Sequence, residues 1–204
     1  LPELYDHILS LEAYTIRLAL AVTGMACERR TVAWNPALAI PAPDVVGLNP
    51  AGTLPVYVDA TGLLAVVPDI LRVLATQADA TWWPAATDDV IALWLDMAAG
   101  PLAVVSQARS ARLFGATGDL ATLQAAARAA LRQIEDHLTD RAIGGADWLA
   151  GPHASFADIA VFPPVMLSHD AGIGHEDYPA INLWQRRVRR LPGFVGMPGI
   201  PDYF

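Results

Sequence analysis

The chain has 204 residues, a formal net charge of −8 and a hydrophobic fraction of 54%, much of it alanine. That length allows one large domain or two small ones with real cores, and the acidic balance argues against nucleic acid and anionic membrane as partners. The single cysteine, Cys27, excludes an internal disulfide and any cysteine-based metal cluster.

No run approaches the ~18 uninterrupted apolar residues of a membrane span. The opening LPELYDHILS is acidic and strand-like, unlike a secretory signal, so a soluble cytoplasmic protein is expected. All thirteen basic residues are arginine, and none lies between Thr31 and Leu71.

Glu3 to Ile8 alternates like a short strand. From about Leu11 to Val22 the apolar spacing becomes helical, and Gly24 supplies the stop. Glu28 to Trp34 resumes as a strand, so strand, helix and strand within about thirty residues suggest a right-handed parallel crossover. The segment NPALAIPAPDVVGLNPAG, Asn35 to Gly52, has too many prolines for a long helix. Leu54–Val58 and Leu63–Val66, separated by Asp59-Ala60-Thr61-Gly62, carry a hairpin signal. A helix from about Pro68 to Thr76 completes a βαβ–ββα half.

Beyond Thr81-Trp82-Trp83-Pro84 the strand signals largely vanish. Apolar residues recur at helical spacings from Asp88 to Arg112 and from Asp119 to Asp140, which predicts two long helices packed antiparallel. The organisation is therefore an α/β domain over residues 1–77, a linker at 78–86 and an all-helical domain over 87–204.

Candidate residues come with competing roles. Ser155 and Asp158 have capping-box spacing before Ile159-Ala160-Val161-Phe162, an architectural role that outweighs acid catalysis by Asp158. Pro55 follows Leu54 at a strand start, where a trans bond is the commoner form and a cis bond would free the Leu54 backbone to pair with an extended ligand. Ser10 stands before the first helix, either as its cap or as a hydroxyl that stabilises a ligand thiolate at the positive helix end. Tyr5 and Tyr14 are neighbouring hydroxyl donors. Cys27 reads as a buried, unreactive thiol. His169-Asp170 and His175-Glu176-Asp177 lack metal-ligand spacing, so a solvated loop is expected there. No Gly-rich phosphate loop and no G-x-S-x-G elbow occurs.

Four segments, in order and at the right intervals, resemble the cytosolic glutathione S-transferase superfamily of bacterial, serine-type-like form. They are LYDHILSLEAYTIRLAL, LNPAGTLPVYVD, WLAGPHASFADIAVFPPV and RRVRRLPGFVGMPGI. The resemblance implies an N-terminal thioredoxin-like domain, an all-α C-terminal domain and a homodimer. It places Ser10 at the position of the catalytic serine, and Leu54 and Pro55 at the residue before the cis-proline and the cis-proline itself. In the family, that backbone pairs with the cysteinyl part of glutathione. Cys27 falls on the second strand, away from the nucleophile position of cysteine-type members.

Two departures stand out. Where family members carry an acidic residue or Gln followed by Ser or Thr, to hold the γ-glutamyl group, this chain has Val66-Val67. The cation that meets the glycyl carboxylate is also missing from Asn35 to Gly52. Each lost charge-assisted contact costs roughly 1.5–3 kcal/mol, so losing several weakens glutathione by about three orders of magnitude or more.

The resemblance thus implies a glutathione-dependent enzyme that conjugates or cleaves a small apolar electrophile, with a thiolate stabilised by Ser10 and glutathione bound at Leu54, Pro55, Val66 and Val67. A helix carrying Met97, Val104, Val105 and Arg109 is expected to line the electrophile pocket or to form interhelical core. Arg17 or Arg109 is the candidate replacement for the missing cation. Against this stand a non-catalytic transferase-like binding or dimerisation module, and an enzyme that uses the same cleft for a more apolar ligand.

Overall fold

A computed structural model describes residues 1–35 and 43–200. The chain begins with strand β1 (Glu3–Asp6), helix α1 (Leu11–Thr23) and strand β2 (Glu28–Thr31), and β2 pairs parallel to β1 with Leu4 opposite Arg29. Ser10 caps α1 by accepting the Ala13 N–H at 3.1 Å. Gly24 ends the helix at φ +70, the left-handed conformation that costs glycine little.

Of the segment Asn35 to Gly52, residues 36–42 lie outside the described residues, and Pro43–Val46 form one short turn of helix, α2. Strands β3 (Val56–Asp59) and β4 (Gly62–Leu64) form the expected antiparallel hairpin, giving a four-stranded mixed sheet in the order β2-β1-β3-β4. Helix α3 (Val67–Ala75) completes the thioredoxin-like half.

The helical half departs from expectation at one place. The stretch from Asp88 to Arg112 is two helices, α4 (Asp88–Ala99) and α5 (Ala103–Phe114). Pro101 has no N–H to continue the ladder and Gly100 precedes it, so the last bonds run from Gly100 N–H to the Asp96 carbonyl and from Leu102 N–H to the Met97 carbonyl. The apolar window within 80–114 reaches a mean hydropathy of 1.5. That region is divided into two single 3₁₀ turns and two helices of 12 residues each, and neither helix has the ~20 residues of a membrane span.

Helix α6 (Leu120–Ile143) is capped by Asp119, which accepts from the Ala121 N–H at 3.1 Å. Helix α7 (Phe156–Leu167) is buried along its whole length and packs against α1, α4 and α5. Helix α8 (Pro179–Val188) closes the bundle against α6.

The capping box at α7 is present: Asp158 Oδ2 accepts the Ser155 N–H at 2.9 Å. The same carboxylate takes the Leu149 N–H at 3.0 Å and the Trp184 indole N–H at 2.8 Å on Oδ1. Burial pushes the Asp158 carboxyl up from the usual range, while these donors pull it down. Its partners are all internal to the fold, which makes Asp158 architectural.

Candidate functional site

Between the two halves lies a cleft of about 620 Å³. One wall comes from the first turn of α1 and from the backbone around Leu54-Pro55, and the corner is made by Ala65, Val66, Val67 and Pro68. The Leu54–Pro55 bond is cis, whereas sequence statistics alone favour trans. The opposite wall is built from α4 and α5, where Leu95, Ala98 and Ala99 continue into Leu102, Ala103, Ser106 and Ser110. Most of these side chains are small, and the volume they leave unfilled is the cleft. Ala160 and Pro164 of α7 also line it.

Leu54, Pro55, Val66 and Val67 are therefore brought together on one cleft. Ser10 is adjacent but does not line it. Its side chain is 1% exposed, accepts the Ala13 N–H and donates to Glu12 Oε2 at 3.4 Å. The tyrosine hydroxyls turn elsewhere: Tyr14 donates to the Val195 carbonyl at 2.8 Å, and Tyr5 donates to Glu3 at 3.3 Å. Burial holds the Tyr14 phenol far above its ordinary value, so it stays protonated.

At the α3 corner, Val66 occupies the cap position in an extended conformation with no side-chain bond to the helix. Pro68 has no N–H, and the N–H groups of Asp69 and Ile70 both go to the Val66 carbonyl, at 3.1 and 3.0 Å. Val67 therefore has the one first-turn N–H not committed to that carbonyl. An incoming carboxylate meets one backbone donor there and the Asp69 charge nearby.

The expected helix residues do not form the cleft wall. Val105 is in the core, and Met97, Val104 and Arg109 also lie away from the cleft, so this set is interhelical packing. The two candidate replacement cations are committed as well. Arg17 bonds to Asp6 and donates to the His7 carbonyl at 3.1 Å. Arg109 pairs with Asp170 at 2.9 Å and donates to the Leu9 carbonyl at 2.8 Å. Among the described residues, none that lines the cleft is cationic.

Two other sequence expectations are settled by burial. Burial and the neighbouring Glu3 and Glu28 push the half-buried Cys27 thiol up to about 11, so it is a poor nucleophile and lies apart from the cleft. The expected solvated loop is only partly so. His169 is exposed, but His175 is buried, with Nε2 at 2.7 Å from the Ser168 hydroxyl. No group of three or more metal-ligating side chains occurs among the described residues.

Residues 106–187 match the family model described as the glutathione S-transferase C-terminal domain. A possible glutathione S-transferase from Rhodopseudomonas palustris superposes with a TM-score of 0.85 at 25% identity, covering 100% of this chain and 99% of that one. The C-terminal half thus carries a glutathione S-transferase C-terminal domain, and the whole chain has the glutathione S-transferase fold. The chain also superposes on a glutathione S-transferase from Xanthobacter autotrophicus (TM-score 0.81, 24% identity, 98% of each chain). Ure2p in complex with glutathione gives a TM-score of 0.83 at 20% identity, covering 94% of this chain and 95% of that one. Curated protein sequences give no significant match.

Among the cleft residues that sequence reasoning missed are Glu12 and Trp34. An acidic residue in a first turn is ordinary macrodipole complementation, and so Glu12 was unremarkable within LSLEAYTIRLAL. Trp34 closes the second-strand pattern, where an aromatic residue reads as sheet packing.

Proposed function

We propose that the chain is a transferase-like protein whose interdomain cleft binds an apolar small molecule, with glutathione only a weak occupant. The start of α3 carries this reading. A valine cap, a proline within the first turn and a nearby aspartate leave the γ-glutamyl corner with backbone contacts only, and no cation among the described cleft residues meets the second carboxylate. The wall of α4 and α5, made of Leu, Ala and Ser, suits an apolar molecule.

Calorimetric titration with glutathione tests this. The expected result is no saturation below about 1 mM, the consequence of losing several contacts worth roughly 1.5–3 kcal/mol each. Micromolar binding with protection against thermal unfolding would overturn it.

A second reading is glutathione-dependent conjugation or cleavage of an apolar electrophile, with Ser10 lowering the thiol pKa. It is favoured by the position of Ser10 at the cap of α1, whose first-turn residues Leu11 and Glu12 share the cleft with the cis Leu54–Pro55 backbone. In that case Ser10→Ala raises the apparent pKa of the bound thiol, and an unchanged pH–rate profile removes Ser10 from the mechanism. Either reading is compatible with a homodimer. Sedimentation that shows only monomer at every concentration would exclude it.

A further inference from the structure

Of the described residues lining the cleft, Glu12 alone carries a charge. It is half-buried in the first turn of α1, and the Ser10 hydroxyl reaches its carboxylate at 3.4 Å, the long limit of a hydrogen bond. Among the described residues no arginine forms an ion pair with it. Residues 36–42 are Pro-Ala-Leu-Ala-Ile-Pro-Ala, so they bring no charge of either sign.

A carboxylate on the wall of an apolar cavity is stable while water reaches it. Filling the cavity with a neutral apolar molecule strips that water and leaves the charge uncompensated. An anionic molecule adds repulsion. A cation offsets the lost hydration. Trp34 lines the same cavity, its ring also tilted against His7 at 5.5 Å between centroids, and an indole is the aromatic side chain over which an ammonium is most favourably placed.

The cleft thus combines a single carboxylate with an aromatic side chain, and none of its described lining residues is a cation that would compete for that carboxylate.

We propose that the cleft selects an apolar molecule bearing a protonated amine, with Glu12 as its counter-ion and the Trp34 ring as the second surface for the ammonium. This rests on the reading of the cleft as an apolar-ligand site and names the class of ligand it takes.

The test uses three probes that share a naphthyl body and differ in charge: 2-(1-naphthyl)ethylamine, 2-(1-naphthyl)ethanol and 1-naphthylacetate. Each is titrated calorimetrically into the wild-type protein and into Glu12→Gln and Glu12→Lys, with thermal unfolding run on all three proteins. The amine is expected to bind wild type about five- to tenfold more tightly than the alcohol, the size of a partly exposed ion pair together with a cation–π contact. Glu12→Gln should abolish that preference, with amine affinity falling and alcohol affinity rising because no carboxylate is left uncompensated, and Glu12→Lys should transfer the preference to the naphthylacetate. Equal binding of amine and alcohol to wild type, or an amine preference that survives Glu12→Gln, overturns the proposal while leaving the apolar-ligand reading in place. Absence of binding by all three probes overturns that reading, and the proposal with it.

Discussion

At the start of α7 one carboxylate, Asp158, takes N–H groups from Ser155 and Leu149 and the indole of Trp184, all within 3.0 Å and fully buried. At the start of α3 the cap is Val66, 54% exposed, with no side-chain bond and a proline in the first turn. Both positions face the same physical problem of unpaired first-turn N–H groups. The α7 start solves it within the chain and becomes a structural anchor. Both starts give two N–H groups to the cap carbonyl, but α7 adds a capping box, whereas α3 has no side-chain cap, removes one donor with Pro68 and opens onto a cleft, so its chemistry is set by what is absent from the side chains. An internally satisfied helix start marks architecture, and an apolar one on a cavity marks where a ligand's polar groups are not expected.

The largest effect expected of this contrast is at Asp158. Asp158→Ala leaves the Leu149 and Ser155 N–H groups and the Trp184 indole unpaired in the core, and should cost on the order of 3–5 kcal/mol in urea unfolding. Asp158→Asn keeps an acceptor for Leu149 and Trp184 and should cost clearly less. A loss below about 1 kcal/mol for the alanine variant would erase the distinction between the two helix starts.

The next effect depends on pH and belongs to the segment that follows α7. Burial, with a smaller contribution from His169, pulls the His175 imidazole down from 6.5 to about 4. The folded protein keeps it neutral where the unfolded chain protonates it, so the unfolded state binds more protons between those values. Stability from this group is complete above about pH 6.5 and is lost as pH falls toward about 4, by an amount on the order of 3 kcal/mol. Urea unfolding at pH 7 and pH 4.5 should show the loss in wild type and a smaller loss in His175→Gln. Parallel slopes would show that His175 is protonated in the fold.

The smallest effect is at α3 itself. Val66→Ser supplies the missing cap and should raise stability by about 1 kcal/mol, read as a higher thermal midpoint. No gain would mean that the helix start is already satisfied and that its apolar character has no stability cost.

Much of the architecture was legible because it is written in local patterns. Ser10 and Gly24 bound α1, the crossover gives a parallel β1–β2 pair, and Ser155 with Asp158 announces α7 within four residues. The break between α4 and α5 was also written locally, in Gly100-Pro101, and was overridden by an apolar periodicity that runs through it. What local pattern cannot carry is partnership across the chain. Glu135 of α6 caps α8 by accepting the Ala180 and Ile181 N–H groups at 2.9 and 2.8 Å, 45 and 46 residues away. The cleft shows the same limit. The residues Leu54, Pro55, Val66 and Val67 could be placed by resemblance, but which face of α4 and α5 opposes them depends on how those helices rotate onto α7. The face chosen from sequence was the packed one, and the cleft face is the row of alanines and serines that had little to announce it.

Arg109 has a mechanical consequence. Its guanidinium joins the Leu9 carbonyl, just ahead of α1, to Asp170 in the loop after α7, while Tyr14 fastens α1 to the segment at Val195. These two rivets connect the sheet domain to the helical domain on either side of the first turn of α1. The domains cannot swing apart about that helix without breaking both. Widening the cleft about that helix therefore costs both contacts at once. Amide exchange at Ala13 and Tyr14, whose N–H groups are held by Ser10, should then keep pace with unfolding of the whole molecule, with no faster hinge motion beneath it.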